Sequence, residues 1–177
     1  EAKFLRAYMY FEMAKRYGGV QLELVPKQLD ATYEELMTPR STLQETYYQV
    51  IADCDAAIAD LPGTAMSGKA TKWAAHALKS RASLYAARIA KYHPQSADGL
   101  TSIPASLAAG YYTMSHASAS AIIDSGKHPL HTGGGTYQKT YSEVLTKKGN
   151  SEMIFVTEYD LGLGKTHMHG YFLMPDG

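Results

Sequence analysis

The chain has 177 residues, 45% of them hydrophobic, which is room for one domain with a real core and excludes disorder by composition. Lys plus Arg number 17 and Asp plus Glu number 17, and this zero balance argues against nucleic acid, whose phosphate backbone selects a basic excess or stripe. The single cysteine, Cys54, allows no internal disulfide, and no apolar run reaches the length of a membrane span.

Residues 1–17 carry Phe4, Leu5, Tyr8, Phe11 and Ala14 in steps of three and four, so a helix with one apolar face is predicted. Gly18-Gly19 stops it. Val20 to Leu24, alternating and closed by Pro26, predicts an extended segment. A second helix starts at a capping box, either Ser41 with Gln44 or Thr42 with Glu45. Leu43, Tyr47, Val50, Cys54, Ala57 and Leu61 follow at helical spacing, and Pro62-Gly63 ends it. Cys54 falls among Ile51, Ala57 and Ile58 and is expected to pack as a small hydrophobe.

A third helix is predicted from about Thr71 to Tyr92, with Ala74, Leu78, Ala82, Tyr85, Ile89 and Tyr92 on one face. Its alanines leave room for a partner helix to come close. His93-Pro94 breaks it, and a polar linker runs to Pro104. A fourth helix spans roughly Ala105 to Ser125, a short one Tyr137 to Thr146, and a strand is predicted at Met153 to Thr157. Tyr47-Tyr48 with Ala57-Ile58 and Asp60 is echoed by Tyr111-Tyr112 with Ala121-Ile122 and Asp124 at one constant offset. Such an echo suits stacked helix pairs.

Few motifs carry chemistry. Gly162-Leu163-Gly164-Lys165-Thr166 ends like a phosphate-binding loop, but Tyr159 stands where the motif needs its first glycine. His167 and His169 lack a third metal ligand at recognisable spacing. Asp53 and Asp55 do not face each other on a helix and are expected on a solvated face. There is no nucleophile elbow and no CxxC pair, so neither a catalytic site nor a cofactor is expected.

Tyrosine is common, with 14 copies against four Phe and one Trp. A tyrosine ring offers a flat apolar face and a wet hydroxyl, which suits the C–H faces and hydroxyl rims of sugars. Tyr8, Tyr47, Tyr85, Tyr92 and Trp73 lie on helices and read as packing. Tyr159, Tyr171 and Phe172 lie outside the helices and are the candidate ligand-binding residues.

Several segments together resemble the SusD/RagB family. Arg6-Ala7-Tyr8 with Tyr17-Gly18-Gly19-Val20 is one, and Arg40-Ser41-Thr42 with Ile51-Ala52-Asp53 and Leu61-Pro62 is another. Gly68-Lys69-Ala70-Thr71-Lys72-Trp73-Ala74-Ala75, Ala121-Ile122-Ile123 with Ser125-Gly126, and Asn150-Ser151-Glu152-Met153-Ile154-Phe155 complete the match. Gln21 stands where the family usually has proline. The resemblance implies a mainly all-α fold of tetratricopeptide-like helix pairs with irregular loops. It implies a cell-surface, lipid-anchored outer-membrane protein of Bacteroidetes-type bacteria, which captures oligosaccharide or polysaccharide for a SusC-like TonB-dependent transporter and is not an enzyme. The alternative is a helical scaffold that binds a peptide or protein. On this reading residues 1–177 are an internal fragment of a SusD-like domain, with the scaffold over about 1–147 and loops with the strand over about 148–177.

Overall fold

The computed structural model describes residues 1–66 and 68–156. These form α1 (Ala2–Tyr17), α2 (Tyr33–Leu36), α3 (Leu43–Asp60) and α4 (Lys72–Tyr92). A 3-10 turn (Ala105–Leu107) runs into α5 (Ala108–Asp124), and α6 (Tyr137–Thr146) follows. The helical architecture expected from sequence is therefore present, with bounds close to those predicted.

Helices α1, α3, α4 and α5 stack in that order, each against the next. Neighbours run in opposite directions. Lys3 at the start of α1 faces Asp60 at the end of α3, 4.0 Å away. The Lys72 amide opening α4 donates to Pro62 O just past α3 (3.0 Å). Lys91 at the end of α4 lies 5.9 Å from the Tyr112 ring near the start of α5.

The core follows the periodicity. Phe4, Ala7 and Phe11 from α1 meet Leu43, Tyr47, Val50 and Cys54 from α3. Helix α4 contributes Ala74, Ala75, Ala82, Ala86, Ala87 and Ala90, all buried. With methyl groups on both its flanks, α4 can receive α3 on one side and α5 on the other. Tyr47 and Tyr111, the echoed pair, are both buried, one on each side of α4. Burying a ring the size of Phe4 or Phe11 stabilises the fold by about 1.5–3 kcal/mol.

Helix starts are set by side chains. Thr42 and Glu45 form the capping box at α3, the second of the two boxes predicted there. Thr71 and Thr136 cap α4 and α6 through one hydroxyl each. Helix α2 was not predicted, although Thr32 and Glu35 form a capping box at its start. Four residues are too few to show a period.

The Tyr-Gly-Gly segment after α1 is a backbone junction. Gly19 N donates to Leu100 O (2.6 Å), Ser41 N to Val20 O (3.0 Å) and Leu43 N to Gly99 O (2.9 Å). A Cβ on Gly19 would lie 2.1 Å from Ser41 O. At Gly18, which has φ +75°, it would lie 2.3 Å from Leu100 O. No other residue fits either place. Arg40 closes the junction, its Nε donating to Gly19 O at 2.9 Å.

Two expectations change. Asp53 is 3% exposed and does not line a solvated face. It accepts two hydrogen bonds from Arg6, from Nε and one terminal nitrogen, both 2.7 Å. Arg6 and Asp53 thus fasten α1 to α3 by a bidentate ion pair. Asp55 is exposed as expected and pairs with Lys79 at 2.5 Å. The strand predicted at Met153 to Thr157 does not form over 153–156, and no strand occurs among the described residues. β-Branched and aromatic residues need a partner strand. Here Phe155 packs instead edge-on to Phe4, ring centroids 5.3 Å apart.

Candidate functional site

The candidate site is built around residues 150–156, the end of the described chain. Asn150 fixes where this segment starts. It is buried, and its amide donates to Val144 O (2.8 Å) and Lys147 O (3.1 Å), closing the C-terminal end of α6. Its Oδ1 accepts from the Glu152 amide at 3.0 Å. Glu152 then accepts from the His131 amide (2.7 Å), and the His131 ring meets Glu143 of α6 (2.8 Å). That contact holds the Glu143 carboxyl below its ordinary range. The Asn-Ser-Glu turn is therefore tied to α6 and to the 127–136 loop, which sends Met153 to Val156 back over the helices.

On one side of this segment lies a hollow of about 410 Å³. Trp73, Ile154 and Phe155 give it apolar walls, and Lys69, Lys127, His128 and Asn150 give it polar groups. An apolar lining with a few polar side chains is the usual make-up of a small-ligand site. Trp73 is oriented by its indole N–H, which donates to Gly63 O in the turn after α3 (2.9 Å). His76 stacks on it at 6.0 Å and Lys72 lies 4.6 Å from its ring. The His128 Nδ1 atom is buried and has no hydrogen-bond partner among the described residues. On the other side a groove of about 480 Å³ runs between α1 and α4, past Phe4, Tyr8, Ala74, Leu78 and Arg81.

Tyr159, Tyr171 and Phe172 lie outside the described residues, as do His167, His169 and the 162–166 loop. The tyrosines read as packing divide. Tyr47 is fully buried, but Tyr8, Tyr85 and Tyr92 are 41, 46 and 66% exposed. Tyr85 rests one edge on Phe11, centroids 5.5 Å apart. The stripe rule misplaced Tyr85 and Tyr92 because α4 packs against its neighbours mainly through its alanines, leaving the larger side chains at the rim. Among the described residues no group of three or more His, Cys, Asp or Glu side chains could hold a metal ion. No helix there is long and apolar enough to cross a membrane.

Residues 1–84 match the sequence model of the SusD-like family described as "Starch-binding associating with outer membrane". No curated protein matches the chain. Among solved structures, a SusD-like protein from Bacteroides fragilis is 32% identical with a TM-score of 0.66, matching 89% of this chain and 26% of its own. A SusD-like carbohydrate-binding protein from the same organism is 22% identical, TM-score 0.64, over 92% of this chain and 27% of its own. A protein crystallised with a xylogluco-oligosaccharide is 20% identical, TM-score 0.65, over 90% of this chain and 28% of its own. This chain thus spans about a quarter of the length of the solved structures it matches. The residues that carried the resemblance have the structural roles just described: Arg6 with Asp53, Gly18-Gly19, Trp73, and Asn150 with Glu152. With a family match over residues 1–84 and the same helical stack over nine-tenths of its length, the chain is similar to SusD-like proteins in sequence and in fold.

Proposed function

We propose that this chain is part of a glycan-capture protein at the outer-membrane surface, one that binds oligosaccharide for uptake and breaks no bond. The observation that carries this reading is the match of residues 1–84 to a starch-binding, outer-membrane-associated family. The geometry supports it. A rigid stack of helices holds a hollow in which Trp73 offers an aromatic surface and Lys69, Lys127 and Asn150 offer hydrogen-bonding groups. Sugars are held by that combination of apolar contact and placed polar groups. In this proposal residues 1–147 are scaffold within a longer SusD-like domain. The segment beyond them carries ligand contacts, Tyr159, Tyr171 and Phe172 included. The partner is a SusC-like transporter, and the protein faces the outside of the cell on a lipid anchor.

Affinity electrophoresis of the protein carrying this chain, through gels containing a panel of polysaccharides, tests the reading. Retardation by at least one glycan, weakened by Tyr159→Ala or Tyr171→Ala, is expected. Free migration in every gel would sink it. A second reading, protein or peptide binding on the scaffold, is favoured by α6, where Tyr137, Tyr141 and Leu145 are 98, 70 and 68% exposed in one line. Capture of a peptide without any glycan retardation would move the assignment there.

A further inference from the structure

The zero net charge of the chain conceals one strongly biased element. Helix α4 carries Lys72, Lys79, Arg81, Arg88 and Lys91 and no carboxylate in its 21 residues. Three of these cations are occupied. Lys79 pairs with Asp55, Lys72 lies over Trp73, and Lys91 lies over Tyr92 and Tyr112. Arg81 and Arg88 are exposed and make no hydrogen bond or ion pair among the described residues.

Their positions are ordered. Arg81, Tyr85, Arg88 and Tyr92 follow at steps of four, three and four, so they form one line along α4 about 16 Å long. All four side chains are exposed. Leu84, Tyr85, Arg88, Ile89, Tyr92 and His93 line a shallow hollow of about 360 Å³ on this line. Nearby charges do not cancel the guanidinium groups. Across on α1, Lys15 lies 6.0 Å from the Tyr85 ring and adds a cation. Glu12 is held between Lys15 (2.5 Å) and Arg16 (2.6 Å), which keep its carboxyl ionised below its ordinary range. Glu152, which shares the groove with Arg81, is engaged by the His131 amide.

We propose that the Arg81–Tyr85–Arg88–Tyr92 line is a binding strip for an acidic oligosaccharide, one bearing uronate carboxylates, laid along α4. The proposal rests on the glycan reading above and adds a ligand class and a second place of contact. Guanidinium groups and rings alternate every turn, in steps of about 4.5–6 Å. A uronate chain presents the same alternation, an apolar ring face for tyrosine and a carboxylate edge for the planar fork of arginine. A neutral glycan would leave both guanidinium groups without a counter-charge. A single-stranded nucleic acid also uses rings with cations. The uronate chain is preferred because the family match is to a polysaccharide binder.

The test is affinity electrophoresis in gels containing polygalacturonate, or amylose or xyloglucan as neutral comparisons. The wild type runs beside Arg81→Ala, Arg88→Ala, Arg88→Lys and Tyr92→Ala. These residues are exposed, and unchanged melting curves confirm that the variants fold. Polygalacturonate is expected to retard the wild type, less so at 0.5 M than at 0.05 M NaCl, since salt screens exposed pairs. Arg88→Ala is expected to weaken binding roughly tenfold, and Arg88→Lys to lie between, because the charge stays and the fork is lost. Retardation by a neutral glycan alone, unaltered in the arginine variants, would overturn this inference and leave the glycan reading standing. No retardation by any glycan would remove both. Displacement of polygalacturonate by a lower concentration of oligothymidylate or polyglutamate would also overturn it, reassigning the strip to nucleic acid or to an acidic protein.

Discussion

The Arg6–Asp53 pair is where single residues decide most. Asp53 is 5% exposed at its side chain and Arg6 35%, so the two are not equivalent. Removing Arg6 leaves a buried carboxylate facing one lost partner, whereas removing Asp53 leaves an arginine that water can reach. Arg6→Ala is expected to cost about 3 kcal/mol, the low end for breaking a buried pair because Arg6 is partly solvated. Asp53→Ala is expected to cost less, and the double variant less than the sum. Urea unfolding midpoints at constant slope would show it. Cys54 makes a second residue-scale prediction. Burial pushes its thiol up to about 12, so almost no thiolate exists at neutral pH. An aromatic disulfide reagent should leave it unmodified while the chain is folded and titrate one thiol after unfolding.

At the scale of the helix, capping threonines differ by what their helix buries. Thr42→Ala removes the box that starts α3, whose residues Leu43, Tyr47 and Val50 are core. It should cost about 1 kcal/mol. Thr32→Ala breaks an equal box on α2, which has no buried residue, and should leave the thermal midpoint nearly unchanged while loosening that turn. This contrast also explains what could be read from sequence. Helices α1, α3 and α4 were legible because an apolar period is a local signal, joined at α3 by a capping box. Asp53 was misread because its partner lies on another helix, and no local pattern announces a pair so distant in sequence. Residues 153–156 were misread because propensity describes a residue's taste for a pleated surface, not the presence of a neighbouring strand. The α4 strip was hidden by a net charge of zero and by assigning its tyrosines to packing.

For the molecule as a whole, acidification should act first through His76. Burial is the largest effect on it, with repulsion from Lys79 and Lys72 added, and all lower its affinity for a proton below the ordinary 6.5, against a weaker pull from Asp55. The unfolded chain then binds that proton more readily than the folded one. Stability is full above about pH 6.5 and falls as pH drops below it. The urea midpoint should decline between pH 7 and pH 5, and His76→Asn should flatten that decline. Glu143 acts in the same direction at lower pH, since its depressed carboxyl gives stability that is lost on protonation below 4.5. The glycine junction has another consequence, in the order of manufacture. Helices α1 and α3 can pair once Asp60 exists, but Gly19 finds its acceptor only at Leu100 and Leu43 only at Gly99. At ribosomal rates of about 5–20 residues per second, the acceptor emerges roughly 4–16 s after the glycine. A nascent chain shorter than that has only the Ser41–Val20 backbone bond and the Arg40 contact at this junction, besides side-chain packing. The loop after α4 is the latch, and it closes late.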